Sequence, residues 1–118
     1  MFKETRPIFV ERSFIPKLLS FFAPIEIGAI TLGFVVFSRS DMSESTKRHE
    51  TIHFQQYLET LFVGFLILYF YDYARSRIKG ISGSESYRAI RAEKEAYENQ
   101  DNLNYLANRT RWKWIKRT

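Results

Sequence analysis

The sequence predicts an α+β fold: a short β-hairpin packed beside a long helix that carries H-E-x-x-H, with a second helix supplying a further acid. Three observations point there. The run IEIGAITLGFVVFSRS is rich in β-branched and aromatic residues, and Gly33 lies midway between its two apolar stretches. From Lys47 to Ile78 nothing stronger than Gly64 interrupts the chain. Tyr87 to Asn99 is dense in Ala, Glu, Arg and Lys, with Ile90 and Tyr97 at helical spacing.

Taken in order, residues 1–24 read as an irregular lead-in, because Pro7, Pro16 and Pro24 each disfavour helix in the residue before them. Short turns of helix are expected around Lys17 to Phe22. Strands follow at Ile25 to Leu32 and Phe34 to Ser38, joined by a tight turn. Leu18 to Phe37 has the length of a membrane span, but Pro24, Glu26, Gly28 and Gly33 argue against that reading. DMSEST is a polar turn in which Ser45 or Thr46 can cap the long helix, expected over Lys47 to Ile78. Its segment 58–74 is strongly apolar, and Leu61 to Tyr71 holds no charge on any side. The serine- and glycine-rich KGISGSES is a loop before the helix Tyr87 to Asn99. One domain over residues 25–107 and a basic, aromatic tail over 108–118 complete the division.

Composition narrows the chemistry. A chain of 118 residues holds one modest core. With no cysteine, disulfides and thiolate metal sites are excluded, so any metal must be held by nitrogen and oxygen. The stretch Arg109 to Thr118 holds five of the 18 bases and none of the 13 acids, so the net charge of +5 belongs to the tail. Tail bases around Trp112 and Trp114 suit anionic lipid better than nucleic acid, given the apolar helix upstream. Tyr69, Tyr71 and Tyr73, followed by Arg75, Arg77 and Lys79, read as an aromatic girdle with a basic flank. Residues 61–79 and the tail are therefore the expected membrane-surface contacts. MFKETRPIFVERSF lacks the pattern of a secretory signal, so the expected location is cytoplasmic, with peripheral or monotopic attachment to a membrane.

His49, Glu50, Thr51, Ile52 and His53 spell H-E-x-x-H and contain both histidines of the chain. One helical turn puts the two imidazoles on the same face, where each can offer a neutral nitrogen to one Zn²⁺. Glu50, at the edge of that face, can act as general base toward a metal-bound water and pass the proton to a leaving amine. A catalytic zinc needs a third protein ligand, which here must be a carboxylate. The acid-rich helix RAIRAEKEAYENQ carries Glu93, Glu95 and Glu98. Glu93 and Glu95 point about 200° apart on a helix, so one faces the metal and the other away.

The stretch Ala29 to Tyr97 resembles compact zincin-like metallopeptidase domains of the gluzincin type. Such domains occur in contractile-injection-system core proteins and in short bacterial and phage proteins of the same layout. The shared elements are A-x-T-x-G at Ala29, Thr31 and Gly33; H-E-x-x-H-x-x-Q at His49, Glu50, His53 and Gln56; and E-x-E-A at Glu93, Glu95 and Ala96. The resemblance implies a zinc-dependent metallopeptidase acting on a peptide or protein, with His49, His53 and Glu93 as ligands, Glu50 as base and Glu95 as a lesser candidate ligand. It also implies a hairpin beside the metal whose edge strand pairs with an extended peptide, Val35 to Phe37 holding the substrate backbone. One position departs from the pattern. Where those families carry an aspartate that orients a histidine, four residues after the ligand glutamate, this chain has Tyr97. A non-catalytic membrane-surface or assembly protein on the same scaffold is the alternative.

Overall fold

Gly33, with a left-handed φ of 65°, turns the chain between β2 (Ala29–Leu32) and β3 (Val35–Ser38), which pair antiparallel with Thr31 opposite Val36. The computed structural model describes residues 6–20 and 28–116. The expected hairpin is there, although Ile25 to Ile27 lie outside the described residues. The lead-in contains a strand that its prolines conceal: β1 (Ile8–Val10) pairs parallel with β3, giving the order β1-β3-β2. Among the described residues β3 is thus central, and β2 is an edge. Helix α1 (Ile15–Ser20) links β1 toward β2, its first turn capped by Ser13, whose hydroxyl accepts from the Ile15 N–H at 3.1 Å.

Six helices accompany this sheet among the described residues, as the α+β reading expects. α2 (Glu44–Glu59) is capped by Ser43 rather than by Ser45 or Thr46, the Ser43 hydroxyl accepting from the Thr46 N–H at 3.1 Å. The single helix expected over Lys47 to Ile78 is broken. Leu61 and Phe62 take φ values of 55° and 65°, and α3 (Val63–Ile78) starts in a new direction. Left-handed backbone costs a non-glycine residue about 1–2 kcal/mol. Contacts at the break offset this. The Phe62 N–H donates to the Tyr57 carbonyl at 2.8 Å, and the Phe62 ring packs on Phe34 with centroids 4.7 Å apart. Gly64 permits the tight return, since a Cβ there would lie 2.9 Å from the Thr60 Cβ.

The helix expected over Tyr87 to Asn99 is likewise two: α4 (Gly83–Ala89) and α5 (Arg91–Asn99), separated by an extended Ile90. The Ile90 side chain is buried in the core, and Asp72 of α3 receives the start of α5. It accepts from the Arg91 N–H at 3.1 Å and from the Arg91 Nε at 2.9 Å. A short α6 (Tyr105–Asn108) and a 3-10 turn (Lys113–Lys116) follow. The core gathers Tyr57, Phe65, Ile90, Ala92 and Trp114, with Tyr57 stacked on Phe65 at 4.0 Å. Among the described residues no helix is long and apolar enough to cross a membrane.

Candidate metal centre

Successive turns of α2 present His49 and His53 to the first turn of α5, and Glu93 stands between them. Its Oε1 lies 3.2 Å from the His49 Nε2 and 3.0 Å from the His53 Nε2. All three donor atoms fall within 4.8 Å of one another, and each residue is at most 6% exposed.

The outer nitrogens fix what the inner ones offer. The Gln56 amide donates through Nε2 to the Ala92 carbonyl at 3.1 Å and to Glu95 Oε1 at 2.7 Å, so its oxygen must face His53. An amide oxygen only accepts, hence His53 donates its Nδ1–H across 2.8 Å and turns Nε2 toward Glu93. Gln100 stands 2.7 Å from the His49 Nδ1 in the same way. Two imidazole nitrogens and a carboxylate oxygen crowded together repel unless a cation sits among them. Without a metal, a proton serves. Burial opposes charge on His53, yet the adjacent Glu93 outweighs it and lifts His53 to about 9. Burial likewise pushes the Glu93 carboxyl up, but the two imidazoles hold it well below the usual carboxylate range. Two imidazoles plus one carboxylate, with a cleft on the open side, is a ligand set that catalytic Zn²⁺ takes.

Glu50 is poised next to these ligands. The Thr31 hydroxyl donates to its Oε1 at 2.8 Å, and its Oε2 lies 3.8 Å from the His49 Nε2. Glu93 keeps its second oxygen for Tyr69, whose hydroxyl donates to Oε2 at 2.7 Å. Burial and that carboxylate keep the Tyr69 phenol protonated, well above its ordinary range.

Sequence reasoning located His49, Glu50, His53 and Glu93, and the structure brings all four together. Glu95, the lesser candidate, faces away, as the helical phase between it and Glu93 requires. It binds the Gln56 amide, the Tyr105 hydroxyl at 2.5 Å and the Arg109 Nε at 2.7 Å. Tyr97 makes no hydrogen bond to a histidine. Its ring packs edge-on against His49 at 4.5 Å, and Gln100 takes the orienting position instead. Thr31, Tyr69 and Gln100 were not foreseen in these roles. Thr31 does fall within A-x-T-x-G, and Tyr69 sits one helical turn after Phe65. Nothing in the sequence marks Gln100.

Behind the ligands a second ionic cluster is closed from water. Arg109, 4% exposed, reaches both Glu95 and Glu59. Burial disfavours its charge, but the two carboxylates more than compensate and hold the guanidinium protonated. The Trp114 Nε1 donates to Glu59 Oε1 at 2.9 Å, and the Trp112 Nε1 donates to the Glu59 carbonyl at 2.7 Å. Two residues assigned to the basic tail, Arg109 and Trp114, are therefore core residues, because the buried acids of α2 and α5 draw them inward.

A cleft of about 690 Å³ opens over the cluster, walled by His49, Glu50 and Glu93, by Leu66 and Phe70 of α3, and by Ala29 to Leu32 of β2. This corrects the expected substrate strand. Val35 to Phe37 are paired on both sides, to β1 and to β2, and have no open edge. No family model matches the chain, and no curated protein or solved structure is similar to it.

Proposed function

We propose that this chain is a small zinc-dependent metallopeptidase of the zincin type, hydrolysing a peptide bond of an extended polypeptide. The observation that carries the reading is the convergence of His49, His53 and Glu93 donor atoms within 4.8 Å, with Glu50 alongside and an edge strand on the cleft wall. His49, His53 and Glu93 would hold the metal. When bound, the zinc would supply a Lewis acid that brings the acidity of water near neutrality. Glu50 would take the proton so released and give it to the departing amine nitrogen. Thr31 favours this by engaging only one carboxylate oxygen of Glu50, leaving Oε2 3.8 Å from the His49 Nε2. The substrate backbone would pair with β2. Arg39 donates its N–H to the Gly28 carbonyl at 2.9 Å, which sets the alternation so that Ile30 faces β3 and Ala29 and Thr31 turn their backbone groups away from it; the Thr31 carbonyl accepts from the Tyr57 hydroxyl at 3.0 Å, so the pairing would use Ala29 and the Thr31 N–H.

Metal content and turnover test this together. The purified chain should carry one zinc, and His49→Ala and His53→Ala should carry none. Glu50→Gln should keep the metal while hydrolysis of an unfolded protein falls at least about 10²-fold. A native chain that neither holds nor takes up zinc would overturn the reading. Undiminished hydrolysis in Glu50→Gln would remove its catalytic half.

A further inference from the structure

α3 is apolar on two opposite sides. Its inner side sets Phe65, Leu68, Tyr69 and Tyr73 against the core. At about 100° per residue, Val63, Ile67, Phe70, Tyr71, Ala74 and Ile78 fall on the outer side within an arc of about 100°. Their large side chains are exposed, from 57% for Tyr71 to 87% for Ile78. Single exposed apolar residues are ordinary, but a continuous row along all 16 residues of a helix marks a contact surface. Exposed Leu61 and Phe34 extend the row at its N-terminal end.

The charges around this face choose among contacts. α3 has one acid, Asp72, and it is tied to Arg91, whose Nε and Nη2 each reach a carboxylate oxygen at 2.9 Å. Past it, Arg75, Arg77 and Lys79 are all exposed at the C-terminal end. An apolar face with a cationic rim, on a helix whose one acid is paired, complements hydrocarbon beneath an anionic headgroup layer. The helix runs roughly 24 Å and carries its exposed apolar residues on one side, so it suits lying in the membrane plane and not crossing it. Trp112, 47% exposed, is anchored through its indole N–H on the carbonyl of Glu59, two residues before Leu61. It adds an interfacial aromatic at the other end of the row.

We infer that the outer face of α3 docks the chain onto an anionic lipid surface. Leu66 and Phe70 belong to both α3 and the cleft wall, so docking brings the cleft mouth to the bilayer and makes membrane-proximal peptide the substrate class. That last step rests on the metallopeptidase reading. The docking itself does not.

Co-sedimentation with vesicles of phosphatidylcholine and phosphatidylglycerol, beside vesicles of phosphatidylcholine alone, tests the docking. The intact chain should bind the anionic vesicles, and Ile67→Glu/Ile78→Glu should weaken this at least about tenfold while its Tm stays unchanged. Arg75→Gln/Arg77→Gln should weaken it by a smaller factor and reduce its salt dependence. His53→Ala, checked for folding by circular dichroism, should bind as the parent does, which separates docking from metal chemistry. Absence of binding to anionic vesicles would overturn the inference. So would a concentration-dependent dimer that Ile67→Glu/Ile78→Glu abolishes, since the face would then belong to a second copy of the chain.

Discussion

Glu93 and Glu95 are two residues apart on α5, equally buried, and occupy opposite kinds of surroundings. Glu95 faces a cluster that contains its own cation: Arg109 bridges it to Glu59, and indole and phenol donors take up further oxygens. Glu93 faces two imidazoles and a phenol. Among the described residues the positive charge next to it is a proton on a histidine. The first cluster is complete as a structural unit; the second is a set of three donors able to hold a metal ion. Gln56 joins the two, donating to Glu95 and accepting from His53. A closed ion cluster thus serves as the rigid backing for an open one.

Removing the resident cation breaks this contrast most severely. Arg109→Met strands two buried carboxylates and should destabilise the metal-free chain by about 3–5 kcal/mol, read from urea unfolding. A loss below about 1 kcal/mol, the level of a surface pair, would mean that Glu59 and Glu95 find water once Arg109 is gone. On the open side, Gln100→Ala removes the acceptor that orients His49. Zinc affinity measured against a chromophoric chelator should fall about 10–100-fold, with little change in unfolding free energy. Unchanged affinity would show that His49 needs no such support.

The smallest effect is a pH dependence, and its sign distinguishes proton from metal. In the metal-free chain the folded His53 titrates near 9 against 6.5 when unfolded, because Glu93 outweighs the burial that opposes its charge. Its contribution to stability is therefore complete below 6.5 and is lost as the pH rises through 9. Glu93, held low, contributes fully above its unfolded value of 4.5 and loses that contribution progressively as the pH falls below it, the loss being complete only in strong acid. Zinc must displace the His53 proton, so the rise in Tm on adding zinc should grow between pH 6.5 and 9. A zinc-induced rise that is flat over this interval would mean His53 is already neutral in the free chain.

The open cluster was far more legible in the sequence than the closed one. His49 and His53 are one turn apart, and helical phase alone separates Glu93 from Glu95, so local periodicity carries most of the site. The hairpin also announced itself, through β-branched residues around Gly33. The break at Leu61 and Phe62 did not, because neither residue is a helix breaker. Packing of the Phe62 ring on Phe34 and Tyr57 accompanies the turn, and Phe34 lies 28 positions earlier. Arg109 and Trp114 read as part of a solvated or lipid-binding tail since charge runs usually are. Only the buried acids of two other helices reverse that, and partners 50 positions away leave no local trace. β1 is three residues long, too short for alternation to show, and exists because β3 offers it an edge.

Arg109 follows Glu59 by 50 positions and Glu95 by 14, a spacing that matters while the chain is being made. Until Arg109 has left the ribosome neither acid has its counter-ion, so packing α2 on α5 must bury two unpaired carboxylates, which is strongly unfavourable. A chain stopped before that arginine should therefore hold the histidine helix against α5 more loosely than the longer chain does.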